Sequence, residues 1–158
     1  MQYILMALFG VGIVAADQLS KLWVVNNIAL HTEIPAIPHI FHLTYVQNTG
    51  AAFSMLRGQH WLFAVLFLLL TAALIWEFTK RPLGLNTFER WCAVAVYAGG
   101  LGNMIDRLRL HYVVDMIEVE FTNFAVFNVA DCFITCGCIG LMISLIFFNK
   151  ALWKDGKK

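Results

Sequence analysis

The chain has 158 residues, of which 60% are apolar and only 13% are charged, whereas a soluble domain averages roughly 45–50% apolar and about 25% charged residues. A water-soluble core of this length cannot hide so much apolar surface, so the composition excludes an ordinary soluble domain and indicates a membrane protein. The net charge is +1 and the basic residues lie mostly at the ends of apolar runs, which argues against nucleic acid as a partner.

Four apolar segments follow one another along the chain, and each supplies about the 20 residues that a membrane-spanning helix needs. The predicted spans are residues 3–25, 59–79, 88–107 and 129–149. The first span could instead be a cleaved signal peptide, but it begins without Lys or Arg, so we favour a retained helix. The third span is rich in glycine and alanine, which let helices approach closely, and it turns polar at Asn103.

The distribution of Lys and Arg predicts the orientation of these spans, because cytoplasmic loops are enriched in basic residues. Seven basic residues lie on the side of the second loop and the C-terminus: Lys80, Arg81, Arg90, Lys150, Lys154, Lys157 and Lys158. Four lie on the other side: Lys21, Arg57, Arg107 and Arg109. We therefore predict that both termini are cytoplasmic and that residues 26–58 and 108–128 form outer loops.

The first outer loop is rich in residues that favour strands. The run is interrupted by Pro35 and Pro38 and ends in the Asn-Thr-Gly sequence at residues 48–50. This pattern predicts short strands and a turn on the outer membrane surface, with an irregular loop as the alternative.

Ionisable side chains at membrane depth are costly, so each one marks a candidate functional site. In this chain most of them gather near the outward ends of the predicted helices. Asp17 and Lys21 are four residues apart and share a helix face, and Asp106 lies next to Arg107. Because these acids have basic neighbours, we favour structural support for Asp17, Lys21 and Asp106. The cluster of Asp106 and Arg107 would link the third helix to the first outer loop.

Asp115 and Asp131 differ from these acids because neither has a basic neighbour at helical spacing. Two aspartates in a partly dry pocket cannot both ionise cheaply, so one keeps a proton while the other stays charged. Such a pair supplies the acid and the base that hydrolysis of a peptide bond requires. The spacing alone leaves a structural role for the two acids equally open.

The sequence contains no other recognisable catalytic pattern. Its five histidines lack the spacing of a zinc site, and its four cysteines fall within apolar segments, where they indicate packing. We therefore predict that the protein uses neither a metal nor a cofactor. A small transporter or proton-relay protein and a non-catalytic scaffold are the alternatives; a transporter predicts acids along one path through the bilayer, and the inner halves of these helices hold few.

Five motifs resemble, in order, those of the bacterial lipoprotein signal peptidases, also called signal peptidase II. They occupy residues 17–21 (DQLSK), 48–53 (NTGAAF), 99–107 (GGLGNMIDR), 113–117 (VVDMI) and 127–131 (FNVAD). One such motif alone would be a weak signal, but five in order across nearly the whole chain make the resemblance specific.

The resemblance implies that Asp115 and Asp131 are the catalytic dyad of an aspartic peptidase. It implies that nine further residues bind substrate or support the site: Asn48, Gly50, Asn103, Arg107, Asn128, Ala130, Asp17, Lys21 and Asp106. The expected substrate is a prolipoprotein whose cysteine already carries diacylglycerol, and the cut falls just before that cysteine.

The fold that the resemblance implies is all-α, with four transmembrane helices, a small β-cradle from the first outer loop and a short helix from the third. Residues 1–158 would form a single membrane-embedded peptidase domain in the bacterial cytoplasmic (inner) membrane, with the active site near the extracytoplasmic surface. We expect a monomer whose partners are the lipid-modified prolipoprotein substrate and membrane lipid.

Overall fold

The computed structural model describes residues 1–50, 55–56, 58–122 and 124–148. Within these residues the chain folds into four helices and one three-stranded sheet. The elements are helices α1 (Gln2–Asn27), α2 (His60–Lys80), α3 (Thr87–Leu110) and α4 (Val129–Phe147), and strands β1 (Glu33–Ile37), β2 (Phe41–Asn48) and β3 (Val113–Val119). Residues 51–53 of the second motif and the basic residues at 57, 150, 154, 157 and 158 lie outside the described residues.

The four predicted spans correspond to the four helices, with ends that differ by at most three residues. Helices α1, α2 and α4 are long and apolar enough to cross a bilayer by length and composition. Helix α3 has 24 residues, a length of roughly 36 Å at 1.5 Å per residue, but it carries charged residues near both ends.

Helix α3 forms the centre of the bundle and contacts each of the other three helices. Ten of its residues are buried, whereas α2 buries only Glu77. Small residues permit this close packing: a Cβ atom added to Gly99 would lie 2.5 Å from the carbonyl oxygen of Ala130 in α4. Because its neighbours shield it, α3 can carry polar residues that a lipid-facing helix would not tolerate.

The sheet is antiparallel, in the order β1-β2-β3. Strands β1 and β2 come from the first loop, as the sequence predicted. The short helix expected in the third loop was wrong: the described part of residues 111–128 contains β3 and no helix. The run Val113–Val119 is rich in β-branched residues, which favour a strand. It pairs with β2 along its length, and the hydrogen bonds between the two strands favour this conformation over a short helix.

The sheet packs against the end of α1 through one hydrophobic cluster. Its buried members are Val24, Ile28, Tyr45, Val114 and Met116. Successive side chains of a strand point to opposite faces, so Val114 and Met116 face α1 while Asp115 faces the ends of α3 and α4. The packing of β3 therefore determines the direction in which Asp115 points.

Candidate active site

Asp115 lies beside the start of α4 because Phe127, two residues before that helix, pairs with β3. The Ile117 N–H donates to the Phe127 carbonyl at 2.8 Å, and the Phe127 N–H donates back at 3.1 Å. The next residue, Asn128, therefore lies against Asp115, and its Nδ2 donates to Asp115 Oδ1 at 2.6 Å. Asn48 at the end of β2 donates from Nδ2 to the other oxygen, Oδ2, at 2.9 Å.

Asp131 lies in the first turn of α4, where it forms a capping box with Asn128. The Asp131 N–H donates to Asn128 Oδ1 at 3.0 Å, and the Asn128 N–H donates to Asp131 Oδ2 at 3.2 Å. The other carboxylate oxygen, Oδ1, accepts a hydrogen bond from Asn103 Nδ2 at 2.7 Å. The partial positive charge at the start of the helix also attracts a carboxylate at this position.

The three asparagines have their amide orientation fixed by a second contact. The Oδ1 atoms of Asn48 and Asn128 each accept a backbone N–H, and Asn103 Oδ1 accepts the ammonium group of Lys21 at 2.9 Å. An ammonium group or an amide N–H needs an oxygen acceptor, so each asparagine uses its Oδ1 for the second contact. Its NH₂ group is therefore turned towards one of the two aspartates. The amides thereby hold both carboxylates in place.

The Asp115 carboxyl group binds a proton more tightly than an exposed aspartate does. Burial raises the pKa of Asp115 to about 6; the hydrogen bonds from Asn48 and Asn128 oppose this increase, and the negative charge of Asp131 adds to it. Two carboxylates that interact in this way release their protons as a pair. Below about pH 6 the pair retains a proton.

A buried ion cluster of Asp17, Lys21 and Asp106 lies behind the asparagines. Lys21 Nζ is 2.9 Å from Asp17 Oδ2 and 3.0 Å from Asp106 Oδ2. Backbone groups also bind the two carboxylates: the Ala130 N–H donates to Asp17 Oδ1 at 3.0 Å, and the Val114 N–H donates to Asp106 Oδ2 at 3.1 Å. The cluster therefore joins α1 and α3 to β3 and α4, the two elements that carry Asp115 and Asp131.

Gln18 is also part of this cluster, although the sequence analysis gave it no role. Its Nε2 donates to Asp106 Oδ1 at 3.0 Å and to the Gly102 carbonyl at 3.2 Å. Gly102 leaves room for the cluster, since an added Cβ atom would lie 2.5 Å from Asp17 Oδ2. The signal in the sequence was a polar amide next to a charged residue within a long apolar helix.

Asp106 and Arg107 are adjacent in the sequence but bind different parts of the structure. Adjacent helical residues point in different directions, and Asp106 faces α1. Arg107 contacts the first loop, since its Nη2 donates to the Gly50 carbonyl at 2.8 Å. Its Nη1 donates to the Asn103 carbonyl, one turn back in α3, at 3.2 Å. The guanidinium also lies 4.2 Å from the centre of the Phe63 ring, which links α2 to the site.

A cleft of about 610 Å³ opens in front of the two aspartates, between α2, α3 and α4. Polar side chains line one end of it: Asn48, Asn103, Arg107, Asp115 and Asp131. Thr135 also lines the cleft, one turn further along α4. Its apolar lining includes Phe63, Phe67, Met104, Phe124, Phe127 and Ile134. Along α3 the cleft extends from Arg107 to Gly100, roughly 10 Å at 1.5 Å per residue. One end can therefore hold polar groups in reach of both carboxylates, while the other can hold apolar chains.

Two acids at the opposite end of the bundle are also buried, which the sequence analysis did not anticipate. Glu89 forms a capping box with Asn86 at the start of α3, and Ser144 Oγ donates to Glu89 Oε1 at 2.9 Å. Glu77 accepts two backbone N–H groups of the loop that follows α2, at 2.9 and 3.0 Å. Both acids stabilise helix ends and the connecting loop.

The Asn86–Glu89 pair repeats the spacing of Asn128 and Asp131. This spacing therefore signals a helix cap and is not evidence of catalysis. What distinguishes Asp131 is its position: it lines a cleft together with another acid, the buried Asp115.

The histidines of the described residues do not assemble a metal site. Two of them, His60 and His111, lie with ring centres 5.9 Å apart, near the ends of α2 and α3. Throughout the described ranges no three His, Cys, Asp or Glu side chains are placed so that they could hold one metal ion. That the site works without a metal stays a prediction.

A family model and two similar proteins that carry a name agree on one family. A family model described as signal peptidase (SPase) II matches residues 9–147. Two proteins named lipoprotein signal peptidase, from Streptococcus pyogenes serotype M1 and from serotype M5 (strain Manfredo), are each 47% identical over 143 residues, which are 90% of this chain and 89% of the relative.

Two solved structures are similar to the whole fold. Both are described as a bacterial membrane enzyme, and each has a TM-score of 0.80 and 30% sequence identity. One match covers 96% of this chain and 89% of the solved chain, and the other covers 91% and 94%.

Proposed function

This chain belongs to the signal peptidase II family, and we propose that it is an aspartic endopeptidase that removes the signal peptide from diacylglyceryl-modified prolipoproteins. The cut would fall just before the lipid-modified cysteine. The observation that carries the proposal is the cleft: Asp115 and Asp131 line its polar end, and its apolar remainder lies between three helices.

The shape of the cleft suits a peptide bond attached to lipid. The scissile bond would lie at the polar end, within reach of both aspartates, and the acyl chains would lie along the apolar lining between α2 and α4. Gly50 and Arg107 border the polar end, where their contact keeps the first loop against α3.

We place the peptidase as a single domain, residues 1–158, in the cytoplasmic membrane, with four helices crossing it and both termini inside. The buried charges support this orientation. Of the basic residues counted on the outward side, Lys21 is held in the ion cluster and Arg107 at the cleft, so they add little charge to the outer surface. Lys80 and Arg81 at the other end are exposed. The dyad then lies near the extracytoplasmic surface, where water is available.

Hydrolysis needs one proton held by the pair and one water molecule. Asp131, as the ionised member, takes a proton from the water as its oxygen attacks the carbonyl carbon of the residue before cysteine. Asp115, which keeps its proton, donates a hydrogen bond to the carbonyl oxygen and stabilises the charge that develops there. When the carbon–nitrogen bond breaks, a proton passes from the pair to the leaving amine, and the pair returns to one shared proton.

Transport or proton relay, the alternative function, would need acids that follow one path between the two ends of the bundle. Glu77 and Glu89 lie at the far end, but hydrogen bonds to helix caps and backbone occupy them. Their positions favour stabilisation of the fold over ion transfer.

The substrate class is tested with two peptides that differ in one group. Purified protein should cleave a diacylglyceryl-modified prolipoprotein peptide just before its cysteine, and it should leave the same peptide with a free thiol essentially intact, because the lipid supplies the binding energy in the apolar part of the cleft. Mass spectrometry of the products locates the cut. Equal cleavage of both peptides would contradict the proposed substrate class.

The dyad also predicts a pH dependence. Asp115 must keep a proton, so kcat/KM should fall as pH rises through about 6, the pKa of Asp115 in the free protein. The corresponding fall in kcat should occur at higher pH, because bound lipid excludes water and favours the neutral carboxyl further. Initial rates between about pH 5 and pH 9 measure both profiles. A kcat/KM that rises across this range would contradict the assignment of the proton to Asp115.

A further inference from the structure

A second cavity, of about 590 Å³, lies on the opposite side of α3 from the cleft. It is a groove between α1 and α3, with the end of α2 along one edge. Ala7 and Gly10 contribute from α1, and Val94, Ala98 and Leu101 contribute from α3. Its lining is apolar except for the side chains of Gln18 at one end, Tyr3 at the other and Tyr97 between them.

The dimensions of the groove suit a hydrocarbon chain. It follows α1 from Tyr3 to Gln18, a length of roughly 22 Å at 1.5 Å per residue. One leaflet of a bilayer has a hydrocarbon thickness of about 15 Å, half of the roughly 30 Å core. Gln18 lies at the end of the groove away from Tyr3, and its Nε2 donates to Asp106 Oδ1 and to the Gly102 carbonyl. If the groove were empty within the bilayer, the side chains that line it would lose dispersion contacts along its whole length.

The open end of the groove carries positive charge. Arg81, which follows α2, donates from Nη2 to the Tyr3 hydroxyl at 2.9 Å, and Lys80 precedes it. A guanidinium group has five N–H donors, so this contact leaves Arg81 able to bind further oxygen atoms. The nearby acid, Glu77, is 2% exposed, and its carboxylate accepts two backbone N–H groups. It therefore does not bind the Arg81 guanidinium.

We propose that this groove binds one acyl chain of an anionic phospholipid, whose phosphate binds the guanidinium of Arg81. Basic sites between membrane helices at the cytoplasmic side are suited to anionic headgroups, and an arginine fork matches phosphate geometry. The lipid joins α1 to α2, which otherwise packs mainly against α3. This site is independent of the dyad, because the cleft and the groove are on different faces of α3.

The test compares bilayers of phosphatidylcholine alone with bilayers that also contain phosphatidylglycerol. The anionic lipid should raise the midpoint of thermal unfolding of the wild-type protein by on the order of 4 °C. Arg81→Ala should abolish that increase by removing the phosphate contact, and Ala7→Phe should abolish it by filling the groove. Arg109→Ala is the matched control: it removes one exposed positive charge at the other end of the bundle, and it should keep the full increase.

Native mass spectrometry supplies a second measurement. Wild-type protein and Arg109→Ala should retain a bound phosphatidylglycerol molecule, and Arg81→Ala and Ala7→Phe should lose it. Soluble glycerol phosphate added to phosphatidylcholine bilayers should give no increase in stability, because the chain supplies most of the binding. An unchanged increase in Arg81→Ala would overturn the proposal. So would a change of oligomeric state in Ala7→Phe with lipid retention intact, since the groove would then be a contact between copies of the chain.

Discussion

Asp115→Asn and Asp131→Asn should each lower kcat/KM for a diacylglyceryl-modified peptide by roughly 10²–10⁴-fold, because each removes one partner of the acid–base pair. Neither change should unfold the protein. Asparagine at 131 keeps an oxygen that can accept the Asn128 N–H, so the cap of α4 can persist. In the Asp115 variant two effects on stability oppose each other above about pH 6. The amide removes a charge that the folded state disfavours, since burial raises the pKa of Asp115. Its NH₂ group, however, faces the NH₂ group of Asn48 or Asn128 and so loses one hydrogen bond.

Two variants serve as matched controls for these losses. Glu118→Gln makes the same chemical change on β3, three residues from Asp115, and it should keep normal cleavage. Glu89→Gln alters the other capping box and should lower the thermal midpoint with little effect on kcat. Single-turnover cleavage and thermal unfolding, measured on all four proteins, separate chemistry from stability. Undiminished cleavage by either aspartate variant would refute the dyad.

Lys21→Met should lower the free energy of unfolding by about 3–5 kcal/mol, because it leaves two buried carboxylates without their cation. Lys21 Nζ lies within 3.0 Å of both Asp17 and Asp106, and the lysine side chain is only 4% exposed. The change also removes the donor that orients Asn103, so the remaining folded protein should cleave more slowly. Reversible unfolding in a neutral detergent measures the first effect, and cleavage rates measure the second.

Asp17→Asn is the informative comparison for Lys21→Met. This change leaves one acid, Asp106, paired with one base, Lys21. The amide oxygen of the new asparagine can still accept the Ala130 N–H, so the variant should lose clearly less stability. Lys80→Met, which removes an exposed lysine, should be nearly neutral. If Lys21→Met costs less than about 1 kcal/mol, the value of a surface ion pair, then the buried cluster does not hold α1 and α3 to the site.

The helices could be predicted from the sequence because apolar length determines them directly. Each predicted span coincided with a helix, including α3, whose small residues signalled close packing. The strand β3 was missed, although its β-branched residues favour a strand, because a strand needs a partner and the pairing of residues 41–48 with residues 113–119 is a long-range contact. The resemblance to a family instead predicted a short helix in the third loop.

The residues of the candidate site could be predicted from the sequence, but the hydrogen bonds that connect them could not. The sequence identified Asp115 and Asp131 as acids without basic neighbours, and the structure brings both to one cleft. It could not show that Asn103 links Lys21 to Asp131, because those contacts join residues that are distant along the chain. Their catalytic roles stay a prediction until activity is measured.

The central claim is that the two carboxylates act as one unit through a shared proton, and the double variant tests it most directly. Residues that act as a unit are strongly non-additive, so Asp115→Asn combined with Asp131→Asn should cleave at about the rate of the slower single variant. Single-turnover rates for the wild type, both single variants and the double variant complete the cycle. If the two losses multiply in the double variant, the aspartates contribute independently and the shared-proton account is wrong.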